Sequence, residues 1–470
     1  MNNPSFLLSA LSLLVLSACS LAPDTPAQLA ETPASYPQDA TASVDQKAST
    51  LHWAEFFNQP QLQQLMKQAL EQNKDLRLAA LNVERVRAQY QIADSAHYPG
   101  LDLSGSGTRQ RLPGDLTGTG QAAVSSQYGL NVGVTAYELD LFGKVRNQSE
   151  QALQQFYASE QNRTSAQISL LSELAANWYS YAANQQLLEL ATHTLHSQQK
   201  TLELTEKRVE LGAASELTLQ QVRGTVANAA VEQSRYQRLL QQTKNALDVL
   251  AGGPVDPELL PKQPLSKLLT LPDLPAGAPS DLLAQRPDLK AAEHQLKAAN
   301  ANIGVAKAAY FPSISLTATA GTASAELGGL FESGSGAWSF VPQVSMPIFN
   351  WGRTQANVSI AETDGKIALE TYQQKVQQAF REVADALADQ AGYRRQLEAL
   401  QQLSQSSERA FTLANARHQQ GTDSYLEVLD AQRNWYSAQQ QFISGQQARL
   451  QGQLTLYKVL GGGWQPNPAP

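Results

Sequence analysis

Few residues in this chain have the types and spacing that catalysis or metal binding requires. His193 and His196 stand three apart, which would place two imidazoles on one helix face, where they could hold a metal. No His-Glu-x-x-His motif accompanies them, and a solvated helix face explains the pair more simply. Gly118 and Gly120 lack the buried strand and following helix of a nucleotide-binding loop. The sequence therefore disfavours an enzyme and predicts no metal site.

The chemistry that the sequence does indicate is lipid attachment at Cys19, the only cysteine of the chain. A single cysteine permits no intrachain disulfide and no thiolate metal cage. Residues 1–18 have the apolar run and small-residue end of an export signal, and Leu16-Ser17-Ala18-Cys19 matches the bacterial lipobox. We expect a diacylglycerol on the Cys19 sulfur and a further acyl chain, such as palmitate, on the new N-terminus. An ordinary cleaved signal with a coincidental cysteine is the alternative.

The sequence elements that must position any functional residue are repeated once along the chain. Two stretches return at a constant shift of 213 residues: Asp75-Leu76-Arg77 as Asp288-Leu289-Lys290, and Tyr98-Pro99 as Phe311-Pro312. Five residues further along return at a shift of 209: Gly143, Arg208, Gly212, Ser215 and Leu217 as Gly352, Arg417, Gly421, Ser424 and Leu426. So long a period indicates duplicated supersecondary units. Each copy predicts a helix, a strand hairpin, a very long helix, a tight turn and another long helix.

Composition limits the class of partner. The net charge of −7 and the pI of about 5.5 argue against nucleic acid, which requires a basic face. Residues 19–50 are rich in Pro, Ala, Thr and Ser and suit an extended tether behind the lipid. Beyond the signal, no segment approaches 20 uninterrupted apolar residues, so any membrane crossing would be made by strands.

Long proline-free stretches predict helices over about 144–211 and 353–420, each roughly 100 Å long. A seven-residue spacing runs through the long helices and predicts left-handed antiparallel coiled-coil pairing. Its positions are Leu174, Tyr181, Leu188, Leu195, Leu202 and Val209, then Leu219, Val226, Gln233, Leu240 and Leu247, and finally Leu429, Tyr436, Ile443, Leu450 and Tyr457.

Apolar and small or polar residues alternate where helix periodicity breaks, which predicts strands over about 99–140 and 312–349. Each stretch has roughly the 9–11 residues that a tilted membrane strand needs, although a soluble hairpin would alternate in the same way. Aromatic residues near the strand ends could form a girdle: Tyr98, Tyr128, Tyr137, Phe311, Phe331, Trp338 and Phe340. Four strands cannot close a barrel alone, and open edges are not tolerated in hydrocarbon, so we expect oligomerisation of unspecified number.

Four segments resemble the outer-membrane efflux factor family, the TolC-like channels, and within it the lipoprotein branch of tripartite drug pumps. They are His52-Trp-Ala-Glu-Phe-Phe, Gln59-Pro-Gln-Leu, the stretch from Leu274 to Leu289 and the stretch from Ala309 to Leu316. The resemblance covers residues 51–463. It implies a mainly α fold with a membrane β-barrel portion, in which a homotrimer forms a twelve-stranded β-barrel on a twelve-helix periplasmic α-barrel. A mixed equatorial belt would include residues 51–60, 254–287 and 461–464.

The resulting organisation has six parts. They are a signal peptide at 1–18, a lipidated tether at 19–50, a first repeat at 51–253, a Pro-rich equatorial connection at 254–287, a second repeat at 288–460 and a tail at 461–470. The helical tip turns would lie at 211–216 and 420–425.

The resemblance also implies roles at the two turns. The turn residues Gly212, Ser215, Gly421 and Ser424 would contact a periplasmic adaptor protein, although a glycine at a helix end is also the usual left-handed cap. Arg417 matches a position that holds the tip closed through interhelical contacts, and His418 stands where relatives often carry an aromatic residue.

Leu426, Glu427 and Asp430 match inward-facing residues that close the channel. Leu426 and Asp430 are four residues apart and share a helix face. Three copies of Asp430 around the axis would favour cations and, through like-charge repulsion, partial protonation. Without the resemblance, both carboxylates would be interpreted as a solvated helix face.

We therefore expect a passive exit channel of a tripartite, RND-type system in the outer membrane, with a long periplasmic portion. Its partners would be an adaptor, an inner-membrane pump and outer-membrane lipid. The only group attached to the chain would be the lipid on Cys19. The cargo would be drugs or other small toxic compounds. An exit duct for metal ions or type I secretion is an alternative. A structural coiled-coil lipoprotein is another, but such a rod has no need of the duplicated strand hairpins.

Overall fold

The computed structural model describes residues 21–23, 52–118, 120–272, 274 and 283–463. The predicted signal peptide, Cys19, the tether apart from residues 21–23, and the tail from Trp464 onward lie outside the described residues. The described residues group into two compact units. One contains residues 82–160 and 291–373, and the other contains 52–81, 161–290 and 374–463.

The two copies of the repeat share the order helix, two strands and two long helices, and the first copy has two additional helices at its start. The first has helices α1 (Trp53–Phe56), α2 (Pro60–Gln72) and α3 (Lys74–Ser95), strands β1 (Asp102–Leu112) and β2 (Ala123–Leu139), and helices α4 (Lys144–Glu210) and α5 (Glu216–Leu250). After the short α6 (Leu265–Leu268), the second has α7 (Pro287–Ala308), β3 (Ser313–Ser324), β4 (Gly336–Ser345), α8 (Arg353–Gln419) and α9 (Tyr425–Val459). Helices α4 and α8 have 67 residues each, and α5 and α9 have 35 each. The predicted mainly helical, duplicated fold is confirmed.

The first unit contains one four-stranded antiparallel sheet in the order β1-β2-β3-β4. Strands β2 and β3 pair across the two copies of the repeat, so the hairpins form one surface. A bulge between Val134 and Tyr137 interrupts this pairing, and the Ala136 N–H there donates to the Thr317 hydroxyl at 3.1 Å. Among the described strands, β1 and β4 each keep one side without a neighbour.

In the second unit, helices pack through the predicted seven-residue positions. Every one of those positions in α4, α5 and α9 is buried or half-buried. Helices α4 and α5 run antiparallel, because Gln198 accepts from Thr225 at 2.9 Å while Asn184 donates to Thr243 at 3.0 Å. Within the described residues, no helix combines the length and the apolar character needed to span a membrane.

An aromatic cluster joins the beginning of this unit to its end. The ring of Phe56 stacks on Tyr457 with centroids 4.1 Å apart, and Phe57 meets the same ring edge-on at 5.6 Å. The Tyr457 hydroxyl donates to the Gly462 carbonyl. Both phenylalanines are fully buried, and burying such rings is among the largest apolar contributions to a core. The residues around Phe56 and Phe57, within the predicted equatorial belt, thus pack against the end of α9.

Arg286, just before α7, connects three separate segments. Its guanidinium donates to both oxygens of Asp288 at 3.0 and 2.7 Å, to Glu382 of α8 at 2.8 Å and to the Val459 carbonyl at 3.3 Å. Burial works to raise the pKa of Asp288, but the hydrogen bonds and charge of Arg286 outweigh it and lower that pKa. The cluster fixes the end of the Pro-rich connection against α8 and α9.

Arg286→Ala should destabilise the protein because it leaves two partly buried carboxylates without their cation. Breaking a buried pair costs about 3–5 kcal/mol, and since Asp288 and Glu382 are each about a third exposed, we expect about 2 kcal/mol from denaturant unfolding followed by helical circular dichroism.

Arg381→Ala is the matched control, since Arg381 meets Asp385 at 3.6 Å with both side chains about 70% exposed. It should cost about 0.5 kcal/mol or less. Because Arg286 lowers the pKa of Asp288, the wild type should be more stable than Arg286→Ala by the full amount at any pH above the ordinary pKa of 3.8. This difference in stability should fade as the pH falls below that value. Equal effects of the two substitutions would contradict the structural role of Arg286.

Candidate functional site

The sheet has two chemically different faces. Residues directly opposite each other in the register share a face, so the pairing assigns every strand residue to one side. The apolar face carries Leu103, Leu130, Val132, Ile314, Leu316, Trp338, Phe340 and Val344. The polar face carries Ser104, Ser106, Asn131, Thr317, Thr319, Ser339 and Gln343. Such a sheet can separate lipid from water.

The exposure of the apolar face is what distinguishes it from a core. Trp338 is 82% exposed and Leu103 70% exposed, although contiguous apolar side chains normally avoid water. On the polar face, the hydroxyls of Thr319 and Ser339 lie 2.7 Å apart. The apolar face therefore requires a lipid or protein environment that a single chain in water does not supply.

The predicted aromatic girdle is only partly on this face. Tyr128, Tyr137, Trp338 and Phe340 lie on the apolar face by register. Phe311 instead stacks on Phe142 at 4.7 Å, and the Tyr137 hydroxyl donates to the His97 carbonyl at 2.9 Å. Tyr98 and Phe331 are exposed next to strand ends.

The second candidate region comprises the two turns between long helices. In both, a glycine in the left-handed region ends the first helix: Gly212 has φ 71° and Gly421 has φ 76°. The following N–H closes the turn on the helix, from Ala213 to the Arg208 carbonyl at 2.7 Å and from Thr422 to the Arg417 carbonyl at 3.0 Å. Only glycine adopts this conformation without a steric penalty, so the cap accounts for both glycines. Adaptor contact remains a prediction.

The two turns differ in how they are held beyond these caps. In the second, Arg417 donates to both oxygens of Asp423 at 2.6 and 2.8 Å, and His418 Nδ1 donates to the Asp423 carbonyl at 3.0 Å. In the first, Ala214 occupies the corresponding position, and the Ser215 hydroxyl accepts from the Thr218 N–H at 3.1 Å. Ser424 makes no such capping bond.

Arg417 therefore closes its own turn in this chain. Its hydrogen bonds hold the pKa of Asp423 below the usual range, and the same bonds, with help from the charge of Glu427, raise the pKa of Arg417. Glu427 thus lies beside the Arg417–Asp423 pair, whereas Asp430 lies about one helical turn further along α9. The assignment of both carboxylates to the closing surface of the channel remains a prediction.

Asp430 and Leu426 line a cavity of about 360 Å³ between α4, α5 and α9. Gln221, the counterpart of Asp430 in the first copy, lines the same cavity. Asp430 accepts from Arg433 at 2.7 Å, and both side chains are at least half exposed. The charge of Asp430 is therefore offset by that of Arg433. Leu426, which is 52% exposed, is an apolar side chain lining the same cavity.

Sequence reasoning missed three residues at this region. Arg433 could have been found from its i, i+3 spacing to Asp430. Asp423 could have been suspected because it follows the turn glycine in only one copy. Tyr425, whose half-buried ring lies 5.3 Å from that of His418, gave no recognisable signal.

The histidine pair considered for metal binding is solvated. His193 is 76% exposed, and its Nε2 lies 3.9 Å from Glu189. In the described part of the chain, no three His, Asp or Glu side chains converge in a way that could hold a metal ion.

Comparison with known proteins shows which family shares this sequence and architecture. The sequence profile of the family described as outer membrane efflux protein matches residues 65–253 and 278–462. The chain is 46% identical over 458 residues to the solvent efflux pump outer membrane protein SrpC of Pseudomonas putida, covering 96% of this chain and 97% of that relative. It is 44% identical to the antibiotic efflux pump outer membrane protein ArpC of the same species, covering 98% and 96%.

Among solved structures, the open state of the Neisseria gonorrhoeae MtrE outer membrane channel is similar with a TM-score of 0.85 and 38% identity, covering 95% of this chain and 98% of that one. The duplicated helices and the two-faced sheet define the class of outer-membrane channels. The chain belongs to the outer membrane efflux protein family, a family of transport proteins, and its location is the outer membrane.

The different closure of the two turns leads to a local test. Ser215→Ala removes a capping bond and should lower the protection of the Thr218 amide by about 1 kcal/mol in hydrogen exchange. Ser424→Ala is the control, since its hydroxyl caps nothing, and the start of α9 should exchange as before. Equal loss of protection at both helix starts would show that the hydroxyl of Ser215 does not hold its turn.

Proposed function

We propose that three copies of this chain form the outer-membrane exit channel of a tripartite efflux system. The observation that carries the proposal is the exposed apolar face backed by a polar face in one sheet with two unpaired edges. In hydrocarbon each edge must pair, and the edges of one chain are available to those of the next. Three copies would supply twelve strands, within the range of closed barrels.

In this proposal the polar face lines the conduit and the paired long helices continue it through the periplasm. Transport through this channel is passive, and energy comes from an inner-membrane pump. The cargo is small organic molecules, supported by the solvent and antibiotic named for SrpC and ArpC. The lipid on Cys19 adds a second attachment to the membrane.

The helix turns are the proposed contact with an adaptor protein and the point of opening. Support comes from exposed leucines at both turns, with Leu211 83%, Leu217 69% and Leu426 52% exposed. Apolar side chains presented together on a polar surface favour contact with another protein. Separation of the helix tips under that contact would widen the opening next to Asp430.

Trimer formation can be checked by gel migration. Because the strand edges are satisfied only between copies, protein extracted in mild detergent and loaded unheated should migrate as a trimer. Boiling should convert it to the band of the monomer, whose mass is 51 kDa before the predicted signal peptide is removed. Cross-linking before boiling is the control for dissociation during electrophoresis. A species that stays monomeric in both tests contradicts the channel.

Ion selectivity in planar bilayers tests the role of the Asp430–Arg433 pair. Asp430→Ala leaves Arg433 unpaired and should shift the permeability ratio toward anions by roughly twofold, whereas Arg433→Gln should shift it toward cations. Asp385→Ala, which removes an exposed carboxylate of α8 that is also paired with an arginine, should leave selectivity unchanged. Identical selectivity in all three variants and the wild type would place Asp430 away from the conduction path.

A further inference from the structure

Two arginines interrupt the apolar face. Arg109 and Arg111 share it with Leu103, because alternate residues of β1 point to the same side. The register places them opposite Ser126 and Val124 of β2. Asp102 and Glu138, the other charged residues of the described strands, belong to the polar face by the same alternation and register. The apolar face therefore carries positive charge at one place only.

That place is the loop end of the first hairpin. Strand β1 begins shortly after α3 and β2 ends shortly before α4, so residues 113–122 lie at the opposite end of the hairpin. Arg109 is six residues beyond Leu103, about 20 Å along the strand, which for a tilted strand approaches the height of an apolar membrane band. Tyr128, paired with Gly107, sits one step nearer the middle, where an aromatic girdle marks the lipid boundary.

Neither arginine is paired with a carboxylate of the described residues. Both are exposed, and no ion pair within the described residues includes them. Charged side chains on a lipid-facing surface are rare unless they reach the interface and find an anion. The Cα atoms of the two arginines lie about 7 Å apart along the strand, so both side chains are within reach of one headgroup. A guanidinium group can bind phosphate oxygens in a forked geometry that an ammonium group cannot match.

We propose that Arg109 and Arg111 form a binding site for a phosphorylated lipid headgroup in the outer leaflet of the outer membrane. The site rests on the proposed function, since the apolar face must meet lipid for the headgroup to reach it. The apolar face below would contact the acyl chains, and the arginine pair would bind the phosphates at the level of Tyr128. Each trimer would carry three such sites around its rim.

The test measures lipid binding to the purified full-length trimer in nanodiscs. The probes are bisphosphorylated lipid A, the same lipid without its phosphates, and inorganic phosphate. For R109Q/R111Q, affinity for the phosphorylated lipid should fall by about fivefold for each arginine removed. Binding of the dephosphorylated lipid should not change. R109K/R111K should keep only part of the preference, because the charge remains while the forked geometry is lost. R238Q, which removes an exposed arginine from α5, is the matched control.

Three results would overturn the site. They are an unchanged preference in R109Q/R111Q, an equal loss in R238Q, or full competition by inorganic phosphate at millimolar concentration, which would indicate a free anion site. Planar-bilayer conductance distinguishes failure of the lipid site from failure of the proposed channel function. If the wild type conducts and lacks the lipid preference, only the lipid site fails, whereas a wild type without conductance removes the channel itself. Unheated trimer migration of R109Q/R111Q shows that the variant has assembled.

Discussion

The requirement that every strand edge find a partner governs the rest of this structure. Among the strands that the structure describes, β1 and β4 keep one side each without a neighbour, and the sheet exposes tryptophan, phenylalanine and leucine on one face. In water such a surface aggregates, and in lipid the unpaired backbone groups cost several kcal/mol each. Both difficulties are removed together when identical copies join edge to edge. The duplication within the chain serves the same end, because β2 and β3 already bring the two hairpins into one sheet.

The two copies have kept their lengths and changed their chemistry. Helices α4 and α8 match in length, as do α5 and α9. The turns that join these helices differ in their chemistry. One is closed by a hydroxyl cap at Ser215, the other by the pair of Arg417 and Asp423. An ion pair responds to salt and acid, whereas a neutral cap does not, so one half of the tip can respond to its surroundings while the other stays as it is.

Much of the architecture could be predicted because its causes are local. Proline-free stretches and the turn glycines placed the ends of α4 and α8 within a residue or two, and alternation revealed the strands. The connections between distant residues could not be read in this way. Arg286 meets Glu382 across 96 positions, and Arg417 turned to Asp423 instead of another helix, which depends on the geometry of the turn. The contrast between Arg109 and its apolar neighbours emerged only once the strand register was known.

The stacking of Phe56 on Tyr457 has a consequence for biogenesis. A ribosome makes Phe56 and Phe57 some 400 residues before it makes Tyr457. Until the last helix exists, these rings lack the Tyr457 ring and the core of the second unit cannot close. An incomplete chain is therefore kept from reaching its final packing, which leaves it open for handling by export chaperones. A truncated product, lacking α9, would expose the same aromatic rings to quality-control proteases.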